Sequence, residues 1–159
     1  MKPSVSVAIM CKNAGAGIAA TIESVLPLSD DVVVYDTGST DDTVQIAKRY
    51  PVRIDTGEWQ GYGKTRNTTI QKTRHNWVLT IDADETAEPG LLTEIEQLSL
   101  DDPNLVYAVR LRNFLSGKEY FWGDWRNDFR VRLFHKQAVR WNDAIIHEKL
   151  LLPAGTKVK

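Results

Sequence analysis

Two aspartates two residues apart, Asp82 and Asp84, follow a short apolar run, Trp77-Val78-Leu79-Thr80-Ile81, that is rich in β-branched and aromatic residues and reads as a buried strand. Side chains alternate along a strand, so the pair is expected to face one way. Two carboxylates aimed at one point repel each other unless a cation lies between them. A hard, oxygen-seeking ion such as Mg²⁺ or Mn²⁺ suits that geometry, with a substrate's phosphates completing its shell. The same D-A-D-E stretch (82–85) could instead be a polar loop capping the helix that starts near Pro89, because Asp and Glu are favoured ahead of a helix.

The elements needed to position such a site can be read on either side of it. Ser4 to Met10 is a β-branched run between Pro3 and the polar Lys12-Asn13, Asp31 to Asp36 is almost wholly apolar, and Val52 to Asp55 is a third short strand. Between them, Ala16 to Val25 carries Ile18, Ile22, Val25 and Leu26 on one helical face, and Thr40 to Tyr50 is a helix opened by Ser39, Asp41 and Asp42 and closed by Pro51. Lys64 to Arg74 is the third helix and Leu91 to Leu98 the fourth. Alternating β and α with short connections predicts an α/β fold with a doubly wound, mostly parallel sheet over residues 1–100. After that the pattern changes to a smaller mixed half, with strands at Val106 to Arg112 and Phe129 to Phe134 and a long aromatic loop between them. In open α/β sheets ligands sit outside the carboxyl ends of the strands, and there this sequence places Lys12-Asn13, Asp36 to Asp42, Gly57 to Arg66 and Asp82 to Glu85.

One domain of ordinary size fits 159 residues. Lys and Arg number 20 against 21 Asp and Glu, so no broad field suggests nucleic acid or a membrane as partner, and any charged ligand must be held locally. Cys11 is the single cysteine, which excludes an internal disulfide and a cysteine-based zinc site. With no apolar run of about 18 residues and no charged-then-apolar leader, a cytosolic, soluble chain is expected. Residues 150–159 carry no helix signal and no cap, the pattern of a chain cut short.

Three short matches mislead. Gly15 to Ala20 fits the dinucleotide pattern G-x-G-x-x-A with Asp36 at a suitable distance, but Cys11 to Ala14 separate the strand from the first glycine. Asp36 to Ser39 spells the D-T-G-S of aspartic proteases, whose chemistry needs two such aspartates sharing a proton, and no second copy exists. His147-Glu148 lacks the second histidine of H-E-x-x-H, since Leu151 holds that place.

Two clusters remain beside D-A-D-E. Asp36 could accept hydrogen bonds from a base or ribose, or cap the turn at Gly38. Gly61-Tyr62-Gly63-Lys64-Thr65-Arg66-Asn67 puts loop glycines and two cations at a helix start, where outward backbone N–H groups suit a diphosphate or simply meet solvent.

Taken in order, Asn13, D-T-G-S-T-D (36–41), G-Y-G-K-T-R-N (61–67), D-A-D-E (82–85), R-V-R-L-F (130–134) and I-H-E (146–148) resemble family-2 glycosyltransferases of the GT-A fold, and look most like the bacterial lipopolysaccharide-core β-1,4-glucosyltransferase branch. The likeness runs from about residue 4 to residue 148, and D-A-D-E with D-T-G-S-T-D is its most specific part. Relatives of this kind usually continue past the H-E motif into helices that help bind the acceptor or membrane, so the acceptor-side half, 101–159, is expected to be truncated. The resemblance implies that Asp36 holds the nucleobase with Lys12, Asn13 and Arg66 nearby, that Asp82 contacts ribose and Asp84 the metal of a D-x-D motif, and that His147 approaches the diphosphate or metal from the far side; Glu85 would only fix the loop. It implies a UDP-sugar donor, a divalent cofactor (Mg²⁺ or Mn²⁺), a glycan or glycolipid acceptor, and a place in the cytoplasm at the inner face of the membrane, peripherally associated.

The reaction so implied is transfer of a hexose with inversion at the anomeric carbon. Positive charge builds on the sugar and negative charge on the departing diphosphate, which a metal and cations such as Lys64 or Arg66 would stabilise. A carboxylate must take the acceptor's proton; Asp128 in W-R-N-D-F is the first choice, with Asp124 and Glu148 as rivals. Tyr120, Phe121, Trp122, Trp125 and Trp141 offer flat faces to a sugar ring or to each other. Arg110 with Arg112, and Arg130 with Arg132, give each strand one basic face, for phosphorylated core sugars or for solvent. Two other readings stay open: a nucleotidyltransferase, which would want a glycine-rich basic loop straight after the first strand, and an inactive domain that binds nucleotide or a partner.

Overall fold

The computed structural model describes residues 3–120, 122–123 and 127–159. In chain order the elements are β1 (Val5–Cys11), α1 (Ile18–Val25), β2 (Val32–Asp36), α2 (Thr43–Ala47), β3 (Arg53–Thr56), α3 (Tyr62–Gln71), β4 (Trp77–Asp82), α4 (Pro89–Glu96), β5 (Leu105–Arg110), β6 (Asn113–Leu115), β7 (Lys118–Tyr120), β8 (Phe129–His135), β9 (Arg140–Trp141), β10 (Leu150–Leu151) and β11 (Lys157–Val158). One seven-stranded sheet runs β11-β5-β8-β4-β1-β2-β3. β1, β2, β3 and β4 are mutually parallel where they pair, as the alternating pattern predicts.

Burial explains the apolar runs. Every residue of β2 is buried, and Val5, Val7, Ile9, Val34 and Leu79 join Ile18, Ile22 and Val25 of α1 in the main core. Covering a strand on both faces removes any polar alternation, and each fully buried Val, Leu or Ile contributes about 1.5–3 kcal/mol. β1 has β2 on one side and β4 on the other, so the strand order reverses between them. Such a reversal opens a crevice at the carboxyl ends. There Met10 lies beside Asp82 and Cys11 beside Asp36.

The strands of the smaller mixed half, β5, β8 and β11, extend the same sheet, with β8 antiparallel to both β4 and β5. Two expectations are corrected. The long aromatic loop contains a hairpin, β6–β7, turned at Ser116 and Gly117, which both have positive φ (51° and 76°). That is the two-residue turn whose twist suits a hairpin, and the Ser-Gly pair was its signal. The second helix is only Thr43–Ala47, since Ser39, Thr40 and Asp41 are spent in bonds to the loop after β1. Among the described residues no helix is long and apolar enough to cross a membrane.

Candidate active site

The loop after β1 and the turn after β2 are sewn together. The Asn13 N–H donates to Ser39 Oγ (2.8 Å), the Ala14 N–H to Thr43 Oγ1 (2.8 Å) and the Gly15 N–H to Asp41 Oδ2 (3.0 Å). In return Asn13, itself in the left-handed region (φ 52°), accepts the Thr40 N–H at its Oδ1 (2.8 Å). Asp36 is buried, and its carboxylate accepts the N–H groups of Gly38 (3.1 Å) and Ser39 (3.0 Å) and the Ser39 hydroxyl. So Asp36 closes its own turn, the capping role weighed in the sequence. Cys11 beside it is an inert thiol, pushed up to about 12 by burial and then by the Asp36 charge. The glycines of the apparent dinucleotide motif serve packing: a Cβ on Gly15 would meet Asp41 Oδ2 at 2.9 Å, and one on Gly17 would meet the Ala83 carbonyl oxygen at 3.1 Å.

The glycines of G-Y-G-K-T-R-N are likewise explained by a close approach. A Cβ on Gly63 would lie 1.7 Å from the Asn142 carbonyl oxygen. The Tyr62 and Gly63 N–H groups donate to the carbonyls of Ile145 (3.0 Å) and Ala144 (3.1 Å), so the start of α3 is capped by the 142–148 segment and these two donors do not face a diphosphate. Asn67 fastens the same segment by pairing with the backbone N–H and C=O of Trp141, each at 2.9 Å.

The turn after β4 differs in kind. β4 ends at Asp82, and Ala83 and Asp84 form a turn, so strand alternation does not carry to Asp84. Asp82 is held by two guanidinium groups, Arg66 at 2.9 Å and Arg132 at 3.1 Å. Arg66 also binds Glu148 at 3.0 Å and lies over the Trp141 ring, 5.1 Å from its centre. Arg132 also binds Glu85 at 2.5 Å. Burial favours a protonated Asp82, but Arg66 and Arg132 outweigh it and hold the carboxyl below its ordinary range. Burial opposes the charge on Arg66, which Asp82 and Glu148 more than restore. Glu85 moves upward, because burial and the Asp82 charge exceed the pull of Arg132. Arg132, read from the sequence as part of a solvated or sugar-facing basic stripe, is therefore a buried member of this network. Arg112 is likewise taken, by Glu88 and Glu119.

Asp84 is exposed and makes no hydrogen bond or ion pair among the described residues. The side chains of Lys12 and Lys64 are exposed too, and neither has a side-chain partner among those residues. Because β8 runs antiparallel to β4, its start lies at this same end and brings Asp128 there, with one oxygen on Arg130 Nε at 2.6 Å. Glu148 is bound to Arg66 as described, and His147 is exposed at φ 56° with no partner for its ring among the described residues. Asp124 lies outside the described residues, as do Phe121 and Trp125. The structure thus joins Arg66, Asp82 and Glu148, places Asp84 and Asp128 at the same end of the sheet, and turns Asn13 and Asp36 to backbone. Sequence reading missed the partnership of Arg132 with Asp82 and Glu85, whose only signal was an arginine in an otherwise apolar strand end.

Among the described residues no group of three or more His, Cys, Asp or Glu side chains is disposed to hold a metal ion. Mg²⁺-type ions are commonly held through one or two carboxylates with substrate phosphates supplying the rest. The donor set fits an ion that arrives with a diphosphate, Asp84 being the free carboxylate. A cavity of about 420 Å³ lined by Ser4, His75, Trp77 and His135 opens at the opposite, amino ends of β1 and β4, away from this chemistry.

Known proteins resemble this chain along most of its length. Residues 6–152 match the model of glycosyl transferase family 2. An uncharacterized glycosyltransferase of Rickettsia prowazekii is 38% identical over 110 residues, 67% of this chain and 38% of that protein. The lipopolysaccharide core biosynthesis glycosyltransferase LpsC of Rhizobium meliloti is 29% identical over 161 aligned positions, 97% of this chain and 59% of LpsC. The chain therefore spans about two to three fifths of the length of these relatives. In fold it is similar to the crystal structure of S. aureus TarS 1–349 in complex with UDP, with a TM-score of 0.58 at 23% identity over 74% of this chain and 37% of that one.

Proposed function

We propose, from the premise that this chain belongs to glycosyl transferase family 2, that it moves a hexose, glucose in the first instance, from a UDP-sugar to a hydroxyl of a cell-envelope glycan or glycolipid. Lipopolysaccharide core is the acceptor class supported by the Rhizobium meliloti relative that aligns with 97% of this chain. UDP is chosen by analogy of fold alone. The reaction takes place in the cytoplasm, at the inner face of the membrane, where a nucleotide-sugar meets a lipid-linked acceptor.

The observation that carries this reading is Asp84, the free carboxylate at the carboxyl end of β4, set in the strand-order crevice beside two bound arginines. Asp84 would hold Mg²⁺ or Mn²⁺ brought by the diphosphate. That ion, when bound, neutralises charge on the leaving group. Lys12 and Lys64, both exposed at the same end, add positive charge toward the departing diphosphate. The acceptor oxygen attacks the anomeric carbon opposite the C–O bond that breaks, which inverts the centre, and its proton passes to a carboxylate. Asp128 is our first choice for that base, with Asp124 and Glu148 as the other candidates. Glu148 would first have to leave Arg66.

Calorimetry with UDP and Mn²⁺ tests the donor site: binding by the parent chain and its loss in Asp84→Ala are expected. Equal binding by the two proteins would remove Asp84 from the site. Slow release of glucose from UDP-glucose without acceptor separates an active transferase from a domain that only binds nucleotide.

A further inference from the structure

We infer that Arg132 is a positioning residue: it fixes the turn that carries Asp84 outward, and through that turn it sets the affinity for a metal–diphosphate. Only this last step rests on the donor-site reading. Arg132 is 8% exposed, on a strand whose next two residues, Leu133 and Phe134, are wholly buried. An arginine so placed needs partners, since an unpaired buried charge is costly. The antiparallel register supplies them. Val78 faces Phe134 and Leu79 faces Leu133, so Thr80 comes opposite Arg132, whose carbonyl it meets at 3.3 Å, and Asp82 falls one diagonal step further along the same face.

The contacts close a ring around Ala83 and Asp84. Arg132 Nη2 donates to Asp82 Oδ2 at 3.1 Å and to Glu85 Oε1 at 2.5 Å. The other oxygen of Glu85 accepts the Asp82 N–H at 2.9 Å, and the Glu85 N–H donates to the Asp82 carbonyl at 3.0 Å. From the far side the Thr21 hydroxyl donates to the Ala83 carbonyl at 3.0 Å. Every polar side chain of D-A-D-E except Asp84 is thereby engaged. Removing Arg132 would leave Asp82 and Glu85 repelling each other across the turn, with Arg66 touching only the first. A methionine fills much of the arginine's volume and leaves Glu85 as the uncompensated charge; with Glu85→Gln beside it, Asp82 keeps its pair with Arg66 and the turn holds no unpaired buried carboxylate.

The test compares the parent chain, Arg132→Met, and Arg132→Met with Glu85→Gln, which removes the repulsion. Amide exchange is read at Asp82 and Glu85, and affinity by titrating UDP with Mn²⁺. In Arg132→Met the two amides should exchange on the order of tenfold faster while core amides of β1 and β2 do not change. UDP–Mn²⁺ affinity should fall about 10- to 100-fold, the range seen when a residue supporting a metal ligand is lost. The double variant should recover both. Unchanged exchange at the turn, a rise spread evenly over the molecule, or a loosened turn with parental affinity would each overturn the inference. A turn-specific rise in a chain whose parent does not bind UDP with Mn²⁺ would uphold the positioning and overturn the donor-site reading.

Discussion

The turn after β2 and the turn after β4 each close a buried strand with an aspartate and carry further acidic residues into one crevice, yet their carboxylates have different partners. Asp36 and Asp41 accept hydrogen bonds from nearby backbone N–H groups and hydroxyls: Asp36 from Gly38 and Ser39, Asp41 from Gly15 and Thr43. Asp82 and Glu85 bind guanidinium groups that arrive from α3 and β8. The first turn is held by neutral backbone and hydroxyl donors, its own and those of the loop after β1. The second is held by charges from α3 and β8 and leaves Asp84 without a hydrogen bond or ion pair among the described residues. An acidic motif is therefore judged by what its partners are, because neutral donors are explained by the packing of the loops alone, whereas imported charges and a spare carboxylate are not.

The sharpest way to break this contrast is to exchange the effects of the two aspartates. Asp84→Ala should lower sugar transfer on the order of 10³-fold, about 4 kcal/mol of transition-state stabilisation, by removing the metal ligand. It should leave the urea midpoint nearly unchanged, since exposed substitutions usually stay within about 0.5 kcal/mol. Asp36→Ala should do the reverse. It strands two N–H groups at about 1–3 kcal/mol each, so urea unfolding should show a loss of about 2–6 kcal/mol. Loss of UDP binding in Asp36→Ala at parental stability would instead give the first turn the nucleobase role that the resemblance implies.

The strands that build the crevice were legible because β1, β2 and β4 are nearly continuous apolar runs, and such runs bury on both faces. The polar clusters at their ends were legible as positions. Their wiring was not. That Arg132 reaches Asp82 depends on the β4–β8 register, set by packing across some fifty positions of sequence, as the separation of that pair (50) shows. Gly61 and Gly63 read as a phosphate loop because glycine signals close approach without naming what approaches. Here it is the backbone of residues 142–145.

That last point gives the next prediction. Gly63→Ala drives a methyl group into the Asn142 carbonyl, a backbone atom that cannot swing aside. A cost of about 1–3 kcal/mol is expected. Proteolysis should show the 142–148 segment released first, together with the Arg66–Glu148 pair that it carries. Parental stability and protease resistance would mean that this segment is not docked on α3 as described.

The smallest effect should be the most specific, because the two carboxylates of the second turn titrate in opposite senses. Glu85 has a folded value above its unfolded one, so as pH falls from neutral the folded state takes up this proton first and stability rises. Asp82 has a folded value below its unfolded one, near 3.8, so its stabilisation is complete above that range and is lost as pH falls through the depressed folded value. The stability curve should therefore carry a shallow rise on the acid side of neutrality, below about 1.4 kcal/mol for each pH unit, before acid unfolding begins. Glu85→Gln should flatten the rise and leave the acid limb in place. Asp82→Asn should blunt the acid limb instead. A single sigmoid in the parent, unmoved by Glu85→Gln, would show that the buried charge of Glu85 is not felt by the fold, and the charges brought to the second turn would then not set it apart from the first.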